Sequence, residues 1–275
     1  MSDLPLFNHA LDEPTVFRPE DLVAAVREQR GAGDSSIPSL CVLEFDGDLT
    51  DKLIARDEVR RCSHWPCFHT EMWLWPKDDP RCGIVARTIG GPYAVLVAEQ
   101  MVVCGARTVV GLASAGRISD WLPLPSIVIA DEAIRDEGTS LHYLPPADTV
   151  AADRTLADAL AQALTQVGLP VHRGLVWTTD APYRETRSQI ARWASRGALA
   201  VEMQAASLFA FGQSRGLATG LVAHVTNGLD HAGEPFHKGP DDAEFLILRS
   251  VCAATTGLVR RFSSRGVRGS CRQGT

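Results

Sequence analysis

The segment Leu199-Ala200-Val201-Glu202-Met203-Gln204-Ala205-Ala206-Ser207-Leu208-Phe209 brings a carboxylate, a thioether and an amide to the point where a short apolar run meets a helix start. Polar groups at the end of a strand are how α/β sheets build ligand sites, and the small residues that follow let a helix lie close to the sheet. Similar placements recur along the chain. Thr179 and Asp180 end the apolar run Val171 to Thr178 and lead to Tyr183, Arg184 and Arg187. Ser114, Ala115 and Gly116 end the run that starts at Thr108, Arg87 precedes the glycine turn Gly90-Gly91, and Asn227 follows Leu221 to Val225. Hydroxyls, amides and guanidiniums at several strand ends mark candidate ligand-binding positions.

One segment tests for metal. Cys62-Ser63-His64-Trp65-Pro66-Cys67-Phe68-His69 carries two thiols and two imidazoles. Its spacing fits neither a zinc finger nor a knuckle, and Thr70 to Trp75 alternates like a strand, so no metal site is expected.

The elements that must position these groups alternate. Strands are expected at Leu40–Leu43, Cys82–Arg87, Thr108–Leu112, Ser126–Ala130, Val171–Thr178 and Leu221–Val225. Helices are expected at Thr50–Arg60, Tyr93–Cys104, Leu156–Val167, Glu185–Ser195 and Glu244–Leu258. The pattern predicts a three-layer αβα fold around a central mixed, largely parallel sheet. No repeat or strong boundary divides residues 1–275, which read as one domain. Residues 1–38 form an arm and a short helix, and the Arg-, Gly- and Ser-rich residues 260–275 read as a disordered tail.

Composition narrows the partners. A net charge of −6 gives no reason to expect nucleic acid or an anionic membrane, and no apolar run approaches the ~20 residues that span a bilayer. The first residues lack the basic and apolar regions of a signal peptide, and seven cysteines without a regular framework point to reduced thiols in the cytoplasm.

Taken in order, Ile89-Gly90-Gly91-Pro92, Gly111-Leu112-Ala113-Ser114-Ala115-Gly116, Ala133 to Ser140, Thr178 to Tyr183 and Val201 to Ala206 resemble the nucleoside phosphorylase superfamily. That superfamily holds uridine phosphorylase, hexameric purine nucleoside phosphorylase and related nucleosidases. The similarity runs from about Leu40 to Asn227. It is nearest to a uridine-phosphorylase-like branch with the Trp-Thr-Thr-Asp-x-x-Tyr-Arg-Glu-Thr signature found here at Trp177 to Thr186.

The resemblance implies cleavage of the N-glycosidic bond of a ribonucleoside with a pyrimidine-type or modified base. Phosphate is the co-substrate, ribose 1-phosphate and free base are the products, and no cofactor is required. It implies that Met203 and Gln204 grip ribose, with Glu202 in support. Gln204 stands where the family has a carboxylate, so a neutral amide would stabilise a cationic sugar less. Thr179, Asp180 and Tyr183 fall where the base is read, Pro182 replaces a stacking aromatic, and Arg184 or Arg187 would help the base leave unless they are plain surface arginines. Asn227 stands where purine-specific members carry a proton-donating Asp, which favours a pyrimidine; Asp230 and His231 lie nearby. Ser114, Ala115 and Gly116 would contact phosphate. The two phosphate arginines of the family are replaced by Leu49 and Gly111, leaving Arg87 as the substitute cation or as an ion-paired strand-end residue. His9 resembles a histidine lent by a neighbouring subunit, which implies a homo-oligomer, a dimer or a hexamer; a mobile arm is the other possibility. Two alternatives stay open: a nucleosidase with Glu44, Asp46 or Glu202 as base, and a non-catalytic nucleoside-binding member.

Overall fold

Among the described residues ten strands join in one mixed sheet with helices on both of its faces. The computed structural model describes residues 4–31, 33–228, 236 and 238–266, with side chains to Thr256 in the last helix. β1 (Leu40–Glu44) lies between β4 (Cys82–Ala86) and β5 (Thr108–Arg117), parallel to both. β3 (Trp73–Trp75) and β2 (Arg60–Arg61) extend that edge antiparallel. On its other side β5 pairs in parallel with β10 (Ala218–Gly228), and β10 runs antiparallel to β6 (Ser126–Asp136). β6 is parallel to β8 (Val171–Thr179), and β8 to β9 (Ala198–Glu202). β9 then meets the end of β5, with Val201 opposite Gly116. The strands β5, β10, β6, β8 and β9 thus close into a ring, and β7 (Thr149–Ala151) pairs with β6. Closure removes free edges that an open sheet would leave. The mixed α/β architecture is the expected one; the ring is an addition that strand periodicity does not contain.

On one face α3 (Gly91–Val103) and α6 (Ala205–Arg215) pack together with α1 (Pro19–Arg30). α2 (Asp48–Ala55), α4 (Arg154–Leu164) and α7 (Ala243–Gly266) cover the other face. α5 (Arg187–Ser195) sets Trp193 on a smaller cluster with Ile134, Trp177 and Val201. The small residues at the start of α6 serve the expected close approach. A Cβ on Gly91 would lie 2.1 Å from Ser207 Oγ, so only glycine lets α3 begin against α6.

Several expected boundaries move for local reasons. The helix predicted over Thr50–Arg60 starts at Asp48 and ends at Ala55, because Asp57 takes a left-handed φ of 55° and turns the chain into β2. Ala113 to Gly116 form no turn: they lie inside β5, held by β10 and β9. α5 starts at Arg187 because Thr186 and Gln189 form a reciprocal capping box. α7 continues to Gly266, into the segment expected as a tail from 260, and residues 267–275 lie outside the described residues. The described cysteines are buried free thiols, and Cys62 and Cys67 pack into the core with Trp65. No helix among the described residues is long and apolar enough to cross a membrane.

Candidate active site

The ring brings the motif-bearing strand ends to one level. Arg135 of β6, Thr178 of β8 and Glu202 of β9 stand side by side, while Gly116 of β5 faces Val201 of β9 and Asn227 of β10. The candidate sugar, base and acceptor segments therefore meet at one end of the ring.

The sugar segment is organised by Glu202, which is only 4% exposed. Its Oε1 accepts from Thr178 Oγ1 at 2.5 Å, and its Oε2 accepts from the amides of Gln204 and Ala205 at 2.6 and 2.8 Å. Thr178 Oγ1 in turn accepts from the Ala206 amide at 3.0 Å. These bonds satisfy amides at the start of α6 that no carbonyl within the helix can reach. Burial pushes the Glu202 carboxyl up to about 7, while the three donated hydrogen bonds pull the other way. Glu202 thus holds the Met203–Gln204 turn, the supporting place that the resemblance implies. Met203 is half-buried; Gln204 is buried, with its Oε1 accepting from the Met203 amide at 3.2 Å.

Next to this turn, Ser207 Oγ donates to Glu137 Oε2 at 2.6 Å, and the Ser140 amide donates to the same oxygen at 2.9 Å. Glu137 therefore ties the loop after β6 to α6, and Asp136 accepts from Trp177 Nε1 at 2.9 Å. On the base side Thr179 is buried and accepts from the Ala181 amide at 3.2 Å. Asp180 accepts from the Gly138 amide at 2.9 Å, and partial burial raises its carboxyl above the usual range. Tyr183, Arg184 and Arg187 are exposed on the following turn and helix start, and their side chains have no partner among the described residues. Arg184 and Arg187 thus stand as surface arginines, the alternative to a role at the base. Asn227 Nδ2 donates to its neighbour Gly228 at 3.1 Å, and Asp230 and His231 lie outside the described residues.

The acceptor side departs furthest from expectation. Both the amide and the hydroxyl of Ser114 donate to Asp46, so a carboxylate already uses the donors expected for phosphate. A Cβ on Gly111 would lie 3.0 Å from the buried Phe45 ring. Phe45 therefore fills the space into which a side chain at 111 would project. Leu49 is buried in the apolar cluster under α2. Arg87 lies across Gly47 and donates to Asp51 at 2.5 Å, with a left-handed φ of 63°. It is ion-paired just after β4, the second of the two readings its position offers. Ala115 is buried, and Gly116 is half-buried in the strand ladder. The His9 ring stacks on His142 of the same chain, centroids 3.9 Å apart. His224, beside Ser114 in the ladder, belongs to this region, although sequence inspection passed over it. Its signal was a lone polar residue inside the apolar run Leu221 to Val225.

Comparison with known proteins agrees with this architecture. A model described as the phosphorylase superfamily matches residues 68–260. The uridine phosphorylase of Escherichia coli (strain K12) is 26% identical over 205 residues, covering 68% of this chain and 79% of that protein. The guanosine phosphorylase of Halorubrum lacusprofundi is 28% identical over 186 residues, covering 65% and 77%. The crystal structure of uridine phosphorylase from Vibrio fischeri superposes with a TM-score of 0.64 at 20% identity, over 82% of this chain and 92% of that one, a likeness of fold. With the family model covering more than half its length, the chain belongs to the phosphorylase superfamily, as a uridine-phosphorylase-like member of a pentosyltransferase class.

Proposed function

We propose that this protein cleaves the N-glycosidic bond of a pyrimidine-type ribonucleoside, with phosphate as co-substrate and no resident cofactor, to give free base and ribose 1-phosphate. The observation that carries the reading is the meeting of Thr178–Asp180, Met203–Gln204, Ser114–Gly116 and Asn227 at one end of a closed strand ring. Uridine phosphorylase relatives support the substrate class. Cleavage at C1′ needs hydroxyl contacts to the sugar, support for the departing base and an acceptor under the ring. Met203 and Gln204 supply the first. An amide at Asn227 cannot donate a proton as a general acid, which suits a pyrimidine that leaves as a delocalised anion better than adenine. The same reading carries a homo-oligomer, a dimer or a hexamer, working in the cytoplasm.

The test is a nucleoside panel with and without phosphate, read by release of base and of ribose 1-phosphate. Uridine-type substrates should be cleaved faster than purine nucleosides. Preference for adenosine or inosine, or no cleavage by folded protein, refutes the proposal. Light scattering of the purified protein reads the assembly, and a monomer refutes that part.

A further inference from the structure

A cavity of about 720 Å³ lies where β5 and β10 begin, lined among others by Arg107, Thr108, Asp153, Arg154, Gln213 and Thr219. The motif-bearing ends of the same two strands, at Ser114 and Asn227, are at the other end of the sheet. Thr108 and Ser114 are about 20 Å apart along β5, at about 3.3 Å per residue, so a small ligand at one end does not reach the other. Two buried hydroxyls face the cavity without a partner. Thr219 is 2% exposed and Thr108 9%, and neither side chain makes a hydrogen bond among the described residues. Polar groups buried to that degree in native structures nearly always have partners, so these two point to a ligand.

Charge and hydrogen bonding say which ligand. The Arg107 guanidinium donates only to the Ala106 carbonyl, at 2.9 Å, and the Arg154 side chain has no partner among the described residues. Neither guanidinium meets a carboxylate, so two cations face the cavity against the single carboxylate of Asp153. The start of α4 adds donors. Asp153 Oδ1 accepts from the Leu156 amide at 2.8 Å, which leaves the Arg154 and Thr155 amides without an acceptor among the described residues. Guanidiniums next to free amides at a helix start suit a phosphate group. Acceptors are present too: Asp153 Oδ2 is unused, and Gln213 engages only its Nε2, which donates to the Ala151 carbonyl at 2.8 Å. Free acceptors of this kind take the hydroxyls of a ligand. A cavity of this volume holds a whole metabolite rather than a bare ion.

We propose that this cavity is a second binding site, separate from the candidate active site, for a small phosphate ester that carries hydroxyls, of the sugar phosphate class. Arg107, Arg154 and the start of α4 hold the phosphate. Asp153 and Gln213 accept from the hydroxyls of the ester, and Thr108 and Thr219 complete their own hydrogen bonding on it. The site stands whether or not the protein cleaves nucleosides, because none of its residues belongs to the candidate active site.

The experiment is calorimetric titration of the full chain in phosphate-free buffer, with ribose 5-phosphate, glucose 6-phosphate and inorganic phosphate as separate probes. At least one ester should bind with a Kd below about 1 mM, more tightly than inorganic phosphate does. The double variant Arg107→Gln/Arg154→Gln should weaken that binding by about 10–100-fold, the usual effect of losing hydrogen bonds to a charged group. Thr219→Val, which keeps the shape and removes only the hydroxyl, should weaken it by about 5-fold. Thermal melting confirms that both variants fold, and their uridine cleavage in phosphate buffer should match that of the parent chain. Absence of binding by both esters overturns the proposal, as does an unchanged affinity in the two folded variants. Inorganic phosphate binding as tightly as the better ester overturns the assignment to an ester. Loss of ester binding in Ser114→Ala places the ester in the candidate active site and overturns the second site.

Discussion

Glu202 turns the sugar segment into a pH-sensitive element. Its carboxyl is buried, and burial raises it from an ordinary 4.5 to about 7. The folded state therefore binds a proton more tightly than the unfolded chain does. The stability linked to Glu202 is fully present below about pH 4.5 and is lost as pH rises through about 7. A rise of that size corresponds to about 3 kcal/mol. Glu202→Gln removes the titration and leaves a neutral group of the same shape. Its amide would face the Gln204 and Ala205 donors, so the variant also loses about 1–3 kcal/mol at every pH. Urea unfolding of both proteins between pH 4.5 and 8 reads the difference between them directly, because the other titrating groups cancel. The wild-type advantage should shrink by about 3 kcal/mol from the acid to the alkaline end of that range. Two stability curves that stay parallel across the range would refute the argument and return Glu202 to an ordinary carboxylate.

The other expected outcomes concern packing and specificity. Gly111→Arg alone should destabilise by about 1–3 kcal/mol in thermal or urea unfolding, because its Cβ meets the Phe45 ring at 3.0 Å. Combined with Phe45→Gly it should regain part of that loss and lower the KM for phosphate, measured by ribose 1-phosphate formation. Ser207→Ala removes a donor from buried Glu137 and should cost about 1–3 kcal/mol, read as a lower Tm. Asn227→Asp introduces a proton donor at the end of β10 and should raise kcat/KM for inosine relative to uridine.

Much of the fold is legible because strands and helices have different periods. Leu40–Leu43 and Cys82–Arg87 read as buried strands from their apolar runs and fall within a residue of β1 and β4, whereas α4 begins two residues before the expected Leu156 because Asp153 caps it, accepting from the Leu156 amide at 2.8 Å. The ring is illegible because it depends on β9 reaching β5 through two residues, Ala200 and Val201, far from Gly116 and Arg117 in sequence. The sugar segment is legible as polar groups at a strand end. What pattern cannot say is where each side chain points: the sequence places Glu202 in support of the sugar segment, and the structure adds that Thr178 and two amides claim both its oxygens. His224 is hidden for the opposite reason, since one polar residue in an apolar strand looks like a tolerated exception until its neighbours are placed.

The departures at the acceptor side are coupled rather than independent losses. A glycine at 111 leaves a hole next to the sheet, and Phe45 is buried in that hole. Placing Phe45 there makes Asp46 the next residue of the loop, and Asp46 takes the two donors of Ser114. Leu49, the second residue of α2, then packs among apolar neighbours. A chain that had merely lost phosphate contacts would leave Ser114 unpaired and the space at Gly111 empty. Here the space is filled by a large ring, the donors are satisfied, and His224 is left as the unpaired group beside them. Phe45, Gly111 and Asp46 pack as one unit, so changing any one of them alone should cost stability before it alters chemistry.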